Sequence, residues 1–176
     1  TALKILSKKK NLQIVGIDSL NSYYSKKLKL ARIKNLKKKF KKKFIFKKIN
    51  ISDKKNIFKI FKTSKFHTVI NLAAQAGVRY SLKNPDAYFK SNLKGFYNIL
   101  EASKNFKVRH LISASSSSVY GINDFSKFSN KIATGHPIQL YAATKRSNEL
   151  MGHAYSHLYK LPTTFIRFFT VYGPWG

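Results

Sequence analysis

The chain contains no cysteine among its 176 residues. This absence excludes a disulfide scaffold, thiolate metal ligands and a cysteine nucleophile. Long apolar runs are also lacking, because the longest, Val69–Ala74, is interrupted by Asn71 and has only the length of a strand. A helix needs roughly 18 consecutive apolar residues to cross a bilayer, so we expect no membrane segment and a cytoplasmic protein.

Glycine and acidic residues are scarce as well. None of the eight glycines belongs to the Gly-rich turn that binds the phosphates of a dinucleotide. Aspartate and glutamate total 6 against 35 lysines and arginines, which gives a formal net charge of +29. Such a charge attracts anionic molecules, including nucleotides. Apolar residues still make up 43% of the chain, which excludes a purely disordered polycation.

The basic residues are densest from Lys26 to Lys48, where apolar residues recur near helical spacing. This pattern predicts a helix with one apolar stripe and an outer face coated with lysine. Its function has two interpretations, a solvated face or a phosphate-binding surface. Because base-reading proteins favour arginine and no RNA- or DNA-binding motif is present, we favour the solvated face and expect no specific nucleic-acid partner.

Strand-like and helix-like segments alternate along the chain. Strand-like runs occupy Gln13–Ile17, Phe44–Phe46, His67–Ala73, Val108–Ser113 and Thr163–Phe169. Helical patterns occupy the lysine-rich block, a segment capped by Ser52 or Asp53, Asp86–Lys104 and Ile138–Tyr159. We therefore predict an α/β fold with a doubly wound parallel sheet covered by helices on both faces, and we expect His67–Ala73 to be a buried strand.

Both ends of the chain suggest a piece of a longer protein. Ala2–Leu6 is typical of the end of an amphipathic helix that has no preceding strand, and the last residues, Gly173–Gly176, lie in a loop. We therefore expect residues 1–176 to form one partial domain that is incomplete at both ends.

Tyr141 and Lys145 are four positions apart in a predicted helix, so their side chains share one face. A tyrosine hydroxyl has an unperturbed pKa near 10, and a neighbouring ammonium group favours the phenolate form. The pair could therefore supply a general base near neutral pH. An ordinary surface pair is the alternative, because this spacing occurs by chance in many helices.

Serine dominates the segment Ser113–Gly121, which directly follows a predicted strand. Ligands of open parallel sheets bind beyond the carboxyl ends of the strands. Hydroxyl groups at this place could therefore bind a sugar hydroxyl or an anionic group. A flexible serine turn is the alternative, but the presence of Tyr141 further along the chain favours a functional site.

Asp18 stands at the end of the first predicted strand, in the motif Gly16-Ile17-Asp18. An acidic side chain at this position accepts hydrogen bonds from both ribose hydroxyls of an adenosine, which favours NAD over NADP. The alternative is an aspartate that caps a helix or a turn.

Two further segments follow predicted strands. Asn50 and Ile51 come after the second strand, where an adenine edge would lie. Leu72, Ala73 and Ala74 come at the end of the third, where small side chains permit close approach of the backbone to a cofactor.

Together these motifs resemble the extended short-chain dehydrogenase/reductase superfamily. The segments GID, NLAAQAGVRYS, SNLKGF, SASSSSVYG, YAATK and RFFTVYGPWG carry the resemblance, which covers essentially the whole chain. Within the superfamily the chain resembles the NAD-dependent epimerases and dehydratases, and among them the UDP-glucuronate 4-epimerases. The resemblance implies a Rossmann-like NAD-binding domain whose Gly-rich turn and substrate domain lie outside this chain.

The resemblance also implies a reaction, the reversible oxidation of a nucleotide sugar at C4. Tyr141 would take the proton from the 4-hydroxyl, Ser116 would share that hydrogen bond, and Lys145 would hold the nicotinamide ribose. Asn92 matches an asparagine near the nicotinamide, and Asp18 would hold the adenosine ribose of NAD. Members of the superfamily pair as homodimers, so a homodimer is expected.

For the substrate, a UDP-sugar, the resemblance implies several contacts. Ser116, Ser117, Ser118 and Thr170 would bind it, the last three through the uronate carboxylate. Arg79 is either a further ligand of phosphate or uronate or an ordinary loop residue.

Several alternatives to a uronate epimerase stay open. Sugar 4,6-dehydratases carry Asp-Glu directly after the catalytic serine or threonine, whereas this chain has Ser117 and Ser118 there. A neutral UDP-hexose 4-epimerase and a non-catalytic basic protein on a decayed enzyme scaffold remain. We expect no metal site, because His153 and His157 lack a third ligand.

Overall fold

The computed structural model describes residues 12–122 and 128–173, together with Ile5 and Lys8. The chain forms two compact units, one of residues 1–50 with 173–176 and the other of residues 51–172. The helix end predicted at Ala2–Leu6, apart from Ile5, and the last three residues of the C-terminal loop lie outside the described part.

The first unit is a strand–helix–strand crossover. Strand β1 (Ile14–Asp18) and strand β2 (Phe44–Lys48) pair in parallel, with Asp18 opposite Lys48. Helix α1 (Lys26–Phe40) connects them and continues into a 3₁₀ turn. The helix begins where the hydroxyl of Ser25 accepts a hydrogen bond from the backbone N–H of Leu28.

The apolar stripe predicted for the lysine-rich block is only partly present. The helix itself is confirmed, but none of the residues of α1 is buried, and Leu30 is exposed. The reason is that α1 packs on a sheet of only two short strands, in which Phe44 is the buried side chain. The lysines of α1 therefore surround an apolar face that is only partly shielded from solvent.

The second unit contains a parallel sheet in the order β3-β4-β5. Its strands are β3 (Thr68–Asn71), β4 (His110–Ser116) and β5 (Thr163–Phe168). Its α-helices are α2 (Lys54–Ser64), α3 (Tyr80–Lys83), α4 (Pro85–Tyr88), α5 (Phe96–Asn105) and α6 (Leu140–Tyr159). Parallel strands joined through helices confirm the predicted α/β class.

The core of the second unit lies between the sheet and its helices. The carboxylate of Asp53 caps α2, as predicted, by accepting a hydrogen bond from the backbone N–H of Asn56. The capped helix buries Ile57 and Phe61. Leu100 from α5 and Leu111 from the central strand are completely buried. Their burial supplies the apolar contacts that hold helices and sheet together.

Two strand predictions are wrong in detail. The strand predicted at His67–Ala73 is confirmed for Thr68–Asn71, but its predicted burial is wrong, because Ile70 is exposed on the edge strand of the sheet. Strand β4 starts later than predicted and runs to Ser116, because its pairing with β5 continues to Phe168. Part of the predicted serine loop is therefore strand.

The helical segment predicted at Asp86–Lys104 is confirmed as helical but is not one regular helix. Between α4 and α5, residues Phe89–Gly95 form a π-helical segment. Such wide turns are rare and occur frequently at functional sites. Here the wide turn contains Asn92, whose side chain is buried.

Close packing of α6 on β5 predicts that Gly152→Ala is destabilising. A Cβ atom at Gly152 would overlap the ring of Phe165, which itself contacts Phe96 in the core. We expect the free energy of unfolding to fall by about 1–2 kcal/mol, because overpacking outweighs the better helix propensity of alanine. Thermal or denaturant unfolding measures the change.

Gly135→Ala is the matched control for this prediction. A Cβ atom at Gly135 meets nothing within 4 Å, so its free energy of unfolding should not fall. Equal stability of the two variants would contradict the close approach of α6 to β5.

Candidate active site

The serine segment lies at the carboxyl end of β4. Ser116 is the last residue of the strand, and a 3₁₀ turn, Ser117–Tyr120, follows. The hydroxyl of Ser116 accepts hydrogen bonds from the backbone N–H of Ser118 (3.2 Å) and from its hydroxyl (2.8 Å). Ser116, Ser117 and Ser118 are half-buried. We refer to these three residues as the serine turn.

Helix α6 carries Tyr141 in its first turn and Lys145 one turn later. Lys145 is only 3% exposed, and its ammonium nitrogen Nζ donates a hydrogen bond to the carbonyl oxygen of Ala114 (2.8 Å). Burial lowers the pKa of Lys145 from 10.5 to about 8. The interpretation of this residue as a surface lysine is therefore wrong, because its amine is held against the end of β4.

The ring of Tyr141 packs edge-on against Tyr88 of α4, with 6.1 Å between ring centroids. Tyr88 is fully buried, and the single proton of its hydroxyl lies within hydrogen-bond distance of the carbonyl oxygens of Ala76 (2.8 Å) and Gly77. Tyr88 thus supports both Tyr141 and the loop after β3.

The amide group of Asn92 holds the loop after β3 against α6. Its oxygen accepts from the backbone N–H of Gln75 (2.8 Å), and its nitrogen donates to the carbonyl oxygen of Gln75 and to the hydroxyl of Thr144 (both 3.1 Å). The hydroxyl of Thr144 in turn donates to the carbonyl oxygen of Tyr141 (2.8 Å). In this structure Asn92 connects protein segments, and its contact with a nicotinamide stays a prediction.

Asp18 and Asn50, predicted to bind the adenosine, belong to the first unit. The side chain of Asp18 is 44% exposed at the end of β1. Its carboxylate accepts from the backbone N–H of Leu20 (2.6 Å) and lies 3.6 Å from the ammonium group of Lys29. A carboxylate so placed still offers lone pairs to a ribose.

The other predicted cofactor residues belong to the second unit. Ile51 is 6% exposed and packs against Gly95, so its side chain contributes mainly to the core. Leu72 is 50% exposed just beyond β3, and Ala73 and Ala74 are half-buried after it. The contact of Leu72, Ala73 and Ala74 with a cofactor stays a prediction.

The predicted substrate residues outside the serine turn are exposed. Arg79 directly precedes α3, and Thr170 follows β5 by two residues. Both side chains are accessible to a ligand, and their contact with a substrate stays a prediction.

A cavity of about 330 Å³ lies beside the serine turn in the second unit. It is lined by Tyr120, Asn130, Glu149, Phe165 and Arg167. Glu149 accepts hydrogen bonds from Ser115 and from two arginines. This group of charged side chains was not predicted from the sequence.

In the described part of the chain, no helix combines the length and the apolar character that crossing a membrane requires. Within the same residues no group of three or more His, Cys, Asp or Glu side chains is arranged to hold a metal ion.

The sequence model of the family described as GDP-mannose 4,6 dehydratase matches residues 2–176. The chain belongs to this family of NAD-dependent epimerases and dehydratases. This family membership confirms two predictions, the resemblance to the extended short-chain dehydrogenases and the Rossmann-like fold class.

Several family members are similar to this chain along nearly its whole length. Protein CapI of Staphylococcus aureus is 54% identical over 93% of this chain and 48% of its own length. A probable UDP-glucuronate 4-epimerase of Rhizobium meliloti is 46% identical over 93% of this chain and 47% of its own. The chain thus spans about half the length of the curated relatives that it matches.

A solved structure supports the same placement. UDP-glucuronic acid 4-epimerase from Bacillus cereus, in complex with UDP-glucuronic acid and NAD, superposes with a TM-score of 0.87 at 31% identity. The match covers 98% of this chain and 53% of that chain.

Sequence reasoning missed the residues that support the site. Tyr88, Gln75 and Thr144 hold Tyr141 and the loop after β3, and Glu149 with Arg167 lies beside the serine turn. Gln75 and Thr144 fall inside the motifs AAQAG and YAATK, so their positions offered a signal. Arg167 opens the motif RFFTVYGPWG, but its contact with Glu149 had no signal, since the two residues are 18 apart in the sequence.

Proposed function

We propose that the full-length protein is an NAD-dependent 4-epimerase that interconverts UDP-glucuronate and UDP-galacturonate. The observation that carries the proposal is the position of Lys145, buried one helical turn after Tyr141 with its amine against Ala114, two residues before Ser116. A buried amine, a tyrosine and a serine hydroxyl at one strand end suit proton transfer at a carbinol.

The relatives support this proposal. Proteins described as UDP-glucuronate 4-epimerases from Rhizobium meliloti and Bacillus cereus share 46% and 31% of their aligned residues with this chain. The residues described here would form the NAD-binding part of such an enzyme.

The residues present fit NAD. Lys145 has three N–H donors, and one of them is engaged by Ala114, which leaves donors for ribose hydroxyls. Asp18 offers carboxylate lone pairs at a strand end, the position suited to an adenosine ribose. When bound, NAD supplies a reversible hydride acceptor for the C4 carbon of the sugar.

The protein's own residues then handle the proton and the orientation of the sugar. Tyr141 accepts the proton of the 4-hydroxyl and returns it after the sugar has turned. Ser116 donates a hydrogen bond to the same oxygen. Lys145 keeps Tyr141 in the basic form through its positive charge. The reaction consumes no redox equivalent overall, because oxidation and reduction occur at one carbon.

The uronate is the substrate that the serine turn favours. Ser117, Ser118 and Thr170 offer hydroxyl donors to a carboxylate, and Arg79 offers a positive charge at an exposed site. Although the family model is described as a dehydratase, Ser117 and Ser118 stand where sugar 4,6-dehydratases need an acid pair. The homodimer and the cytoplasmic location belong to this proposal too.

The test is an incubation of the full-length enzyme with UDP-glucuronate or, separately, UDP-glucose, with the products resolved by chromatography. We expect UDP-galacturonate from the first substrate, formed faster than UDP-galactose from the second. Release of carbon dioxide or formation of a 4-keto-6-deoxy sugar would overturn the assignment. A faster reaction with UDP-glucose would instead identify a neutral hexose epimerase.

A further inference from the structure

Glu149 is the centre of a group of polar side chains that joins α6 to two strands. Its carboxylate oxygen Oε1 accepts from the hydroxyl of Ser115 on β4 (2.6 Å) and from Nε of Arg167 on β5 (2.9 Å). Its oxygen Oε2 accepts from Nη2 of Arg167 and from Nη1 of Arg146 (both 2.9 Å). The carboxylate is therefore bound from three elements at once.

This arrangement is buried and ionised. The side chain of Glu149 is only 7% exposed. Burial opposes its ionisation, but the hydrogen bonds from Arg167, Ser115 and Arg146 outweigh burial, so its pKa is lowered. Apolar residues in place of a buried ion pair are often at least as stabilising. A gain in stability alone therefore does not explain a charged group here.

The charged group contacts the chain on both sides of the serine turn, at Ser115 before it and at Tyr120 after it. At one end Ser115, which binds Glu149, directly precedes Ser116. At the other end Arg167 stacks on the ring of Tyr120, with 4.9 Å between its guanidinium carbon and the ring centroid. Tyr120 is the last residue of the 3₁₀ turn and is buried. The serine turn is thus held before and after by one ion pair.

The same ion pair acts on α6. Tyr141, Lys145 and Glu149 follow one another at intervals of four residues, so they lie along one face of the helix. The two hydrogen bonds between Glu149 and Arg167 resist both rotation and sliding of α6 along the sheet, because bidentate pairs are directional.

We propose that Glu149 and Arg167 are positioning residues that fix the serine turn relative to Tyr141 and Lys145. In terms of the proposed function, on which this inference rests, they set the distance between the hydroxyl of Ser116 and the proton acceptor Tyr141. Their action on the reaction would pass through the serine turn and α6, the segments that they contact.

Hydrogen exchange in the full-length protein tests the proposal without reference to activity. In Glu149→Gln the backbone amides of Ser118 and Gly121, which bond inside the turn, should exchange about tenfold faster or more, since local opening becomes easier. Glu101→Gln is the matched control, because Glu101 is another carboxylate with little exposure, 15% of its side chain, bound by Lys104 of α5 and Tyr155 of α6 away from the turn. Its exchange in the turn should equal that of the wild type.

Kinetics provides the second measurement. Glu149→Gln should lower kcat about 10- to 100-fold, the cost of a small misplacement of reacting groups. KM for the UDP-sugar should stay within about threefold, because no substrate contact is removed. Unchanged exchange in the turn, or an equal loss of kcat in Glu101→Gln, would overturn the proposal.

If Glu149→Gln does not fold, hydrogen exchange in Ser115→Ala tests the proposal instead. It removes one hydrogen bond and leaves every charge paired, so the turn amides should exchange faster by a smaller factor, and unchanged exchange would again overturn the proposal. If the wild type converts no nucleotide sugar, the proposed function fails, and the exchange data still decide whether Glu149 holds the turn.

Discussion

Tyr141→Phe should lower kcat on the order of 10³-fold in the full-length enzyme while leaving the fold intact. The substitution removes the only atom through which this side chain can accept a proton. The ring remains, so its edge-on packing against Tyr88 at 6.1 Å is kept. Steady-state turnover with UDP-glucuronate measures the loss, and circular dichroism checks the fold.

Tyr155→Phe is the matched control for that variant. Tyr155 lies on the same helix, and its hydroxyl donates to the carboxylate of Glu101 (2.7 Å). Its loss should affect stability slightly and should leave kcat within about threefold of the wild type, since no proton transfer is involved. Turnover of Tyr141→Phe within tenfold of the wild type would show that another group is the base.

The order of strands and helices could be predicted because hydrophobic periodicity and caps act over a few residues. The cap at Asp53 and the long helix of Tyr141 follow from such local signals. The depth of burial could not be predicted in the same way. Ile70 looked like core, yet β3 forms an edge of its sheet and exposes it.

The π-helical segment shows a second reason for failure. Helical periodicity does not distinguish a wide turn from a regular one over seven residues. The turn is accompanied by hydrogen bonds of Asn92 to Gln75 and Thr144, which are 17 and 52 residues away in sequence. Such contacts exist only once the chain has folded.

The candidate site likewise contains residues with local sequence signals and residues whose contacts are distant in sequence. Tyr141, Lys145 and Ser116 were predictable because their spacing and their place at a strand end are local properties. The charged group around Glu149 was not, because its partners Ser115 and Arg167 come from two different strands. Chemistry-bearing residues were therefore visible in the sequence, whereas the residues that position them were not.

Lys145→Met should abolish most of the turnover and yet stabilise the fold at neutral pH. Burial lowers the pKa of Lys145 from 10.5 to about 8, so the charged form is costly in the folded state. A pKa shift of this size means that the buried charge destabilises the folded state by roughly 3 kcal/mol, a cost that methionine removes. The substitution also removes the hydrogen bond to Ala114, which lowers stability by about 1 kcal/mol. We expect a net gain of about 2 kcal/mol in the free energy of unfolding at pH 7.

The gain should depend on pH in a defined window. Below pH 8 the lysine is charged in the folded and the unfolded chain, and the folded state bears the full cost of its burial. Between pH 8 and 10.5 the folded chain loses the proton while the unfolded chain keeps it, so the cost shrinks as pH rises. The advantage of Lys145→Met over the wild type should therefore fade across this range.

Lys104→Met separates this effect from the general repulsion within a chain of charge +29. The hydrogen bond from Lys104 to Glu101 raises the pKa of Lys104, which is the opposite direction. Folding therefore favours its charged form, and its replacement should bring no gain at pH 7. Denaturant unfolding of both variants from pH 7 to 10.5 measures the difference. An advantage of Lys145→Met that stays constant over that range, or a loss of stability at pH 7, would show that the amine is not charged and buried in the folded protein.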